Sequence, residues 1–330
     1  VRSFFKDLFL WLVYFPYRRL VQILPFQVSY QLATWLGHIH YLLLPARKKR
    51  QIVTHLDLVF GPKYEAGEKK TILRRFCIHK QKELVDLFIL GRKDYGRYLG
   101  ACSEEGRSHL DQVLSRGQGA IALGFHFGSV NRLETYLADR GYKIAPFLVL
   151  PGTPGAGAWV SQQVLKVRAS IWKERGNFQI ITSPRSLLSM ARIQYRSLNQ
   201  NQIIDSTGDG ALGTRFTYVD FFNVKLKVPL GPVLMAAKSG AGIVPSFAIR
   251  RGDNVHHFVF KAPIYVESED EGALKKAIRE YISYLEHYIS QHPDRWTYWT
   301  RMEVEGDEDG IPRIRLILQW FLEAEPAPPA

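Results

Sequence analysis

The sequence predicts an α/β fold: a mainly parallel central sheet flanked by helices, preceded by a helical N-terminal segment. Three observations predict it. Beyond residue 117, short apolar runs alternate with amphipathic stretches, the pattern of strands and crossover helices in a parallel sheet. Residues 51–115 show little β-branching and place Ile72, Phe76, Leu84, Leu87 and Phe88 at roughly helical spacing. The first fifty residues are apolar and aromatic and close on the basic cluster Arg47, Lys48, Lys49 and Arg50.

At the N-terminus, residues 8–15 form an unbroken apolar run between Lys6 and Asp7 on one side and Arg18 and Arg19 on the other. The run is shorter than the roughly 20 apolar residues a spanning helix needs. Residues 20–46 carry no Asp, Glu, Lys or Arg, yet Pro25, Gln27, Gln31, His38 and His40 interrupt their apolar character. This predicts an amphipathic helix starting near Pro25. Apolar area followed by basic residues is what an interfacial anchor uses, each Lys or Arg adding about 1 kcal/mol on anionic lipid. The alternative is a layer of helices covering the core, its basic residues solvated. No small-residue cleavage pattern follows residues 8–15, so a removed signal peptide is not expected.

The predicted strands are residues 120–125, 144–150, 178–182, 202–205, 243–249 and 257–266, and the helices between them 129–140, 158–172, 185–198, 230–241 and 271–291. After residue 302 the chain turns acidic, and IRLILQWFL (314–322) reads as a terminal helix or a second membrane contact. The Pro/Ala-rich end reads as disordered. The division is therefore 1–50, an N-terminal membrane-associated segment; 51–302, an α/β domain (helical over 51–115, alternating over 117–302); and 303–330, the acidic stretch, short helix and tail.

With 330 residues and 46% hydrophobic content the chain can bury a large core, and its net charge of +13 draws it to an anionic partner. Nucleic acid is not the expected one: the basic residues are interspersed with acidic ones, and no nucleic-acid motif occurs. Two cysteines without a C-x-x-C pair or His/Cys cluster suggest neither disulfide framework nor zinc site, and no metal is expected. His256 and His257 are adjacent in a predicted strand, where neighbours point to opposite faces, so the pair reads as structural.

Ligand sites of open α/β sheets lie outside the carboxyl ends of the strands. The first predicted strand ends in G-F-H-F-G-S-V-N, which puts His126 there, with Gly128 turning the chain into a helix near Ser129. A helix N-terminus favours a neutral imidazole, which can act as a base once a partner fixes its tautomer. Asn131 could orient the ring through its amide oxygen, and Glu134 lies on the same helical face. Asp205 ends the strand QIID and is the candidate second carboxylate. Asp209, in the glycine-rich S-T-G-D-G-A-L-G that follows, is the reserve. Turn-capping is the plain alternative for Asp205, and the glycine spacing matches neither the P-loop nor the dinucleotide pattern. Lys166, Arg168, Lys173 and Arg175 form a basic stretch in which Arg168 suits phosphate binding, with a solvated helix face as the alternative. Arg301 is a weaker candidate of the same kind.

From Leu24 to about Met302 the chain resembles the bacterial lipid A (lauroyl/myristoyl) acyltransferase family, within the glycerolipid/lysophospholipid acyltransferase superfamily. The resemblance lies in residues 24–60, GAIALGFHFGSVN (119–131), VPLGPVLMAAKSGAGIVPSFAIR (228–250) and RWTYWTR (295–301). It implies a membrane-associated acyltransferase moving a fatty acyl chain from a thioester donor, acyl-carrier protein or acyl-CoA, to a hydroxyl or amine of a lipid or glycolipid acceptor. It implies no cofactor, a monomer, and a place on the cytoplasmic face of the inner membrane, peripheral or with one anchor. His126, Asn131 and Asp205 are the expected catalytic residues; Arg168, Gly128, Asp209 and Arg301 the expected substrate contacts. No G-x-S-x-G occurs, so transfer without a covalent acyl-enzyme is expected. The family pattern is His, four residues, then Asp or Glu, and Asn131 stands where the carboxylate belongs. Either Asn131 orients His126, or the protein keeps the fold as a catalytically silent lipid binder.

Overall fold

A computed structural model describes residues 2–129, 132–145, 147–149, 156–173, 179–181, 187–253 and 255–317. The first hundred residues form α1 (Arg2–Leu12), α2 (Arg18–Ile23), α3 (Phe26–Leu43), α4 (Ala46–Phe60), α5 (Ala66–Ile89) and α6 (Tyr95–Gly100). A π-helical turn containing Pro16 joins α1 to α2, because proline leaves the carbonyl one turn back without its N–H partner. The helix expected from Pro25 is α3. Its buried Tyr30, Ala33 and Gly37 face α5, whereas Trp35, Ile39 and Leu42 stand exposed on the other side. Gly37 permits the close crossing, since a Cβ there would collide with the backbone of Ile78. Among the described residues no helix is long and apolar enough to cross a membrane.

The rest of the chain supplies β1 (Ser103–Glu105), α7 (Ser108–Leu114), β2 (Ala120–Gly124), α8 (Leu133–Asp139), β3 (Phe147–Val149), α9 (Ala158–Lys173), β4 (Gln179–Ile181), α10 (Leu187–Asn199), β5 (Ile203–Thr207), β6 (Phe216–Phe221), β7 (Val224–Pro229), α11 (Gly231–Ser239), β8 (Gly242–Gly252), β9 (Val255–Phe260), α12 (Glu271–Gln291), β10 (Met302–Glu308) and β11 (Ile311–Leu316). Among the described residues the strands form sheets ordered β1-β9-β8-β2-β5, β10-β11-β7-β6 and β3-β4. Ile121 and Leu123 of β2 join the core under α12, while Ala120 and Ala122 face α7 and α8, so the first sheet is covered on both sides.

The expectation of a mainly parallel sheet needs correcting, because the sheets are mixed. In the first, β8 and β9 run antiparallel while the other pairings are parallel. In the second, β6–β7 and β10–β11 are antiparallel. Each antiparallel pair is joined by a connection too short for a crossover, which forces the chain to reverse. The acidic run after residue 302 is β10, and Ile314–Leu316, expected to open a helix, lies in β11. Ile314 and Leu316 point into the core, while Arg313 and Arg315 pair outward with Glu308 and Glu303. Asn131, Arg175 and residues 318–330 lie outside the described residues.

Candidate active site

β2 delivers its last residues into a turn clamped on both sides. Thr297 N–H donates to the His126 carbonyl at 2.9 Å, and Gly128 N–H to the Arg295 carbonyl at 3.1 Å. Residues 126–128 thus pair with the segment carrying Trp296, which bridges Phe127. On the other side Ser129 N–H donates to the Ala248 carbonyl at 3.0 Å. Gly128 has φ +67°, and a Cβ there would run into the Ala248 carbonyl oxygen, so only glycine fits. Phe125 and Phe127 alternate into the core around Phe247, leaving the His126 side chain 25% exposed at the carboxyl end of β2. Among the described residues the α-helix that follows begins at Leu133, and strand pairing holds the histidine in its turn.

The carboxylate against the ring is Asp209. Its Oδ1 lies 3.0 Å from His126 Nδ1 and accepts the His126 backbone N–H at 2.9 Å, while Oδ2 accepts Trp296 Nε1–H at 2.9 Å. The Asp209 side chain is fully buried. A carboxylate so placed takes a proton-bearing Nδ1, which leaves Nε2 as the ring's lone-pair nitrogen. Tyr298 meets the ring edge-on, centroids 4.7 Å apart, and fixes its tilt. This arrangement can accept a proton at Nε2 while keeping the resulting imidazolium beside a buried negative charge.

Asp205 sits in β5 opposite Ala122 and hydrogen-bonds Glu134 of α8 rather than His126, though it lies close enough to His126 for the two charges to interact. Glu134 is buried and Asp205 half-buried; desolvation pushes Asp205 up, to about 7, and desolvation and the neighbouring Asp205 raise Glu134 well above the usual carboxylate range. Two desolvated carboxyls in contact hold at least one proton between them. A cavity of about 20 Å³, room for one water, adjoins Asp205. Arg168, on α9, lies near Tyr14 in the N-terminal helical group. Arg301 is exposed, its N–H bonded to the Tyr298 carbonyl at 2.8 Å.

Beneath the turn lies a buried polar network that the sequence reading missed. Asp86 of α5 pairs with both terminal nitrogens of Arg250 and accepts hydrogen bonds from Tyr30 at 2.6 Å and Ser129 at 2.8 Å. Burial alone would raise the Asp86 carboxyl, but Arg250, His256 and Arg132 hold it well below the usual range. Burial pushes His256 down to about 4, so the ring is neutral, receiving the Tyr98 hydroxyl at Nδ1 and facing Ser129 Oγ through Nε2 at 2.7 Å. One sequence signal pointed here: Asp86 interrupts the apolar run LVDLFIL, and a carboxylate buried among such residues must be paired. His257 points the other way, to Ser103 at 2.8 Å.

Residues 4–302 match the family described as bacterial lipid A biosynthesis acyltransferase. Two curated relatives are phosphatidylinositol mannoside acyltransferases from Mycobacterium tuberculosis, strains CDC 1551 / Oshkosh and ATCC 25618 / H37Rv. Each is 22% identical over 195 residues, covering 58% of this chain and 56% of the relative. The chain thus spans little more than half the length of the curated relatives it matches.

Proposed function

The chain belongs to the bacterial lipid A biosynthesis acyltransferase family, and on that premise we propose that it moves a fatty acyl chain from a thioester donor to a hydroxyl or amine of a glycolipid acceptor. The observation that carries the reading is the His126–Asp209 pair at 3.0 Å. His126 Nε2 takes the acceptor's proton as its oxygen or nitrogen attacks the thioester carbonyl. The tetrahedral intermediate expels the thiolate, which recovers the proton from the imidazolium, and no acyl-enzyme forms. Asp209 keeps the ring in one tautomer, and Trp296 and the His126 N–H keep Asp209 in place. Acyl-carrier protein and acyl-CoA are the two candidate donors. The glycolipids named by the family and its relatives support this acceptor class.

The chemistry takes place at a membrane surface, on the cytoplasmic face of the inner membrane. Supporting this, α1 exposes Phe4, Phe5, Phe9 and Trp11, and α3 exposes Trp35, Leu42 and Leu43, a run of apolar surface that water does not favour.

The rival reading, a silent lipid binder, is favoured by Asn131 in the position of the family carboxylate. The test is purified protein in detergent with labelled acyl-CoA or acyl-carrier protein and glycolipid acceptors. Transfer that disappears in His126→Ala supports the enzyme. No transfer with either donor, and no difference from His126→Ala, supports the silent binder.

A further inference from the structure

We propose that a basic cavity beside the catalytic turn, lined by Arg250, Arg251, Arg295, His257 and His292, binds a phosphoryl group carried by one of the two substrates. The cavity measures about 320 Å³, large enough to admit a phosphoryl group together with part of what it is attached to.

The case rests on unequal charge. Arg250 is ion-paired to Asp86 on its inner side, yet its Nε is buried without a hydrogen-bond partner. Arg295 also has a buried nitrogen, Nη1, without one. Burial lowers its pKa, opposed by Asp294 and aided by the nearby Arg250. Arg251 is exposed at the rim. The lining carboxylate, Glu105, is already engaged by His257 at 3.5 Å and Lys261 at 3.9 Å. Burial and Arg295 push His292 down, leaving a neutral ring that can donate one hydrogen bond. A phosphoryl group in the cavity supplies the negative charge that these cations lack, and guanidinium groups suit it by fork geometry and charge.

Position gives the cavity its use. The Arg295 carbonyl accepts from Gly128 N–H, and Arg250 Nη2 lies 3.2 Å from Ser129 Oγ. Two of its cations are thus tied to the second and third residues after His126. A phosphoryl group held there fixes the substrate that carries it at a constant offset from the base. Both substrate classes can supply it: a phosphorylated glycolipid, or the phosphates of the donor's pantetheine arm. That this substrate is acylated or gives up its acyl chain rests on the proposed function; the binding of an anion does not.

Inorganic phosphate titrated calorimetrically into the full chain in detergent is expected to bind. Arg251→Ala, which removes an exposed side chain, is expected to weaken binding roughly tenfold with the unfolding midpoint unchanged, and Arg295→Gln to weaken it as well. Equal phosphate affinity in wild type and both variants overturns the site. Kinetics then identifies the source. If the acceptor carries the group, Arg251→Ala raises KM for a phosphorylated acceptor and not for its dephosphorylated form. If the donor carries it, KM rises for acyl-CoA and not for an acyl N-acetylcysteamine thioester, which has no phosphate. Phosphate binding with every KM unchanged means an adventitious ion only and overturns the proposal. Phosphate binding in a wild type that transfers nothing supports the site and sinks the acyltransferase reading instead.

Discussion

Asp209 spends both carboxylate oxygens on holding other groups, so its effect on chemistry passes through the orientation of one ring. Asp209→Asn offers an amide whose NH₂ group cannot accept the Nδ1 proton, which favours the wrong tautomer. It is expected to lower kcat by roughly 10³–10⁴-fold with KM little changed; steady-state kinetics giving a wild-type kcat would remove this pair from the mechanism. His126 was legible from the sequence because a strand end followed by a glycine turn announces itself locally. Its partner was legible only as a second choice, Asp209 standing in reserve behind Asp205. The predicted strand stopped at Asp205, whereas β5 continues to Thr207 in parallel register with β2, Ala122 opposite Asp205 and Gly124 opposite Thr207. Carried two rungs further, that register sets Asp209 level with His126. A register is a property of two strands and cannot be read from either alone.

Among the elements, α1 and α3 carry the most consequential exposed surface. Trp35, Ile39 and Leu42 recur at helical spacing along the side of α3 away from α5. Full burial of such a side chain contributes roughly 1.5–3 kcal/mol. Trp35→Ser with Leu42→Ser is therefore expected to lower partition onto phosphatidylglycerol vesicles at least about tenfold while leaving the fold intact. Co-sedimentation checks it, and unchanged partition would relocate the membrane contact. The helices were readable because their periodicity is local. The β10–β11 hairpin was not, because a run rich in Glu and Asp reads as a solvated tail until its partners Arg313, Arg315 and Lys227 are seen across the ladder.

At the scale of the whole molecule, the Asp86 network ties α3, α5, β8, β9 and the catalytic turn into one unit. Asp86→Ala would leave Arg250 buried without its counter-charge and is expected to destabilise the protein by about 3–5 kcal/mol, measurable by urea unfolding; a loss under 1 kcal/mol would show the network to be incidental. The Asp205–Glu134 pair makes a pH prediction. Its native pKa values are raised, so between about pH 4 and 7 the folded state binds more protons than the unfolded chain. The stability it contributes is complete below the unfolded value and is lost as pH rises through the folded one, with a slope near 1.4 kcal/mol per pH unit for one proton. Glu134→Gln with Asp205→Asn should flatten that decline relative to wild type, and parallel curves would show that the pair does not titrate there. The strand pairing of residues 126–128 with 295–297 bears on synthesis as well. While a nascent chain is still emerging from the ribosome, His126 exists but the shelf that steadies it has not been translated, so competence arrives late and all at once.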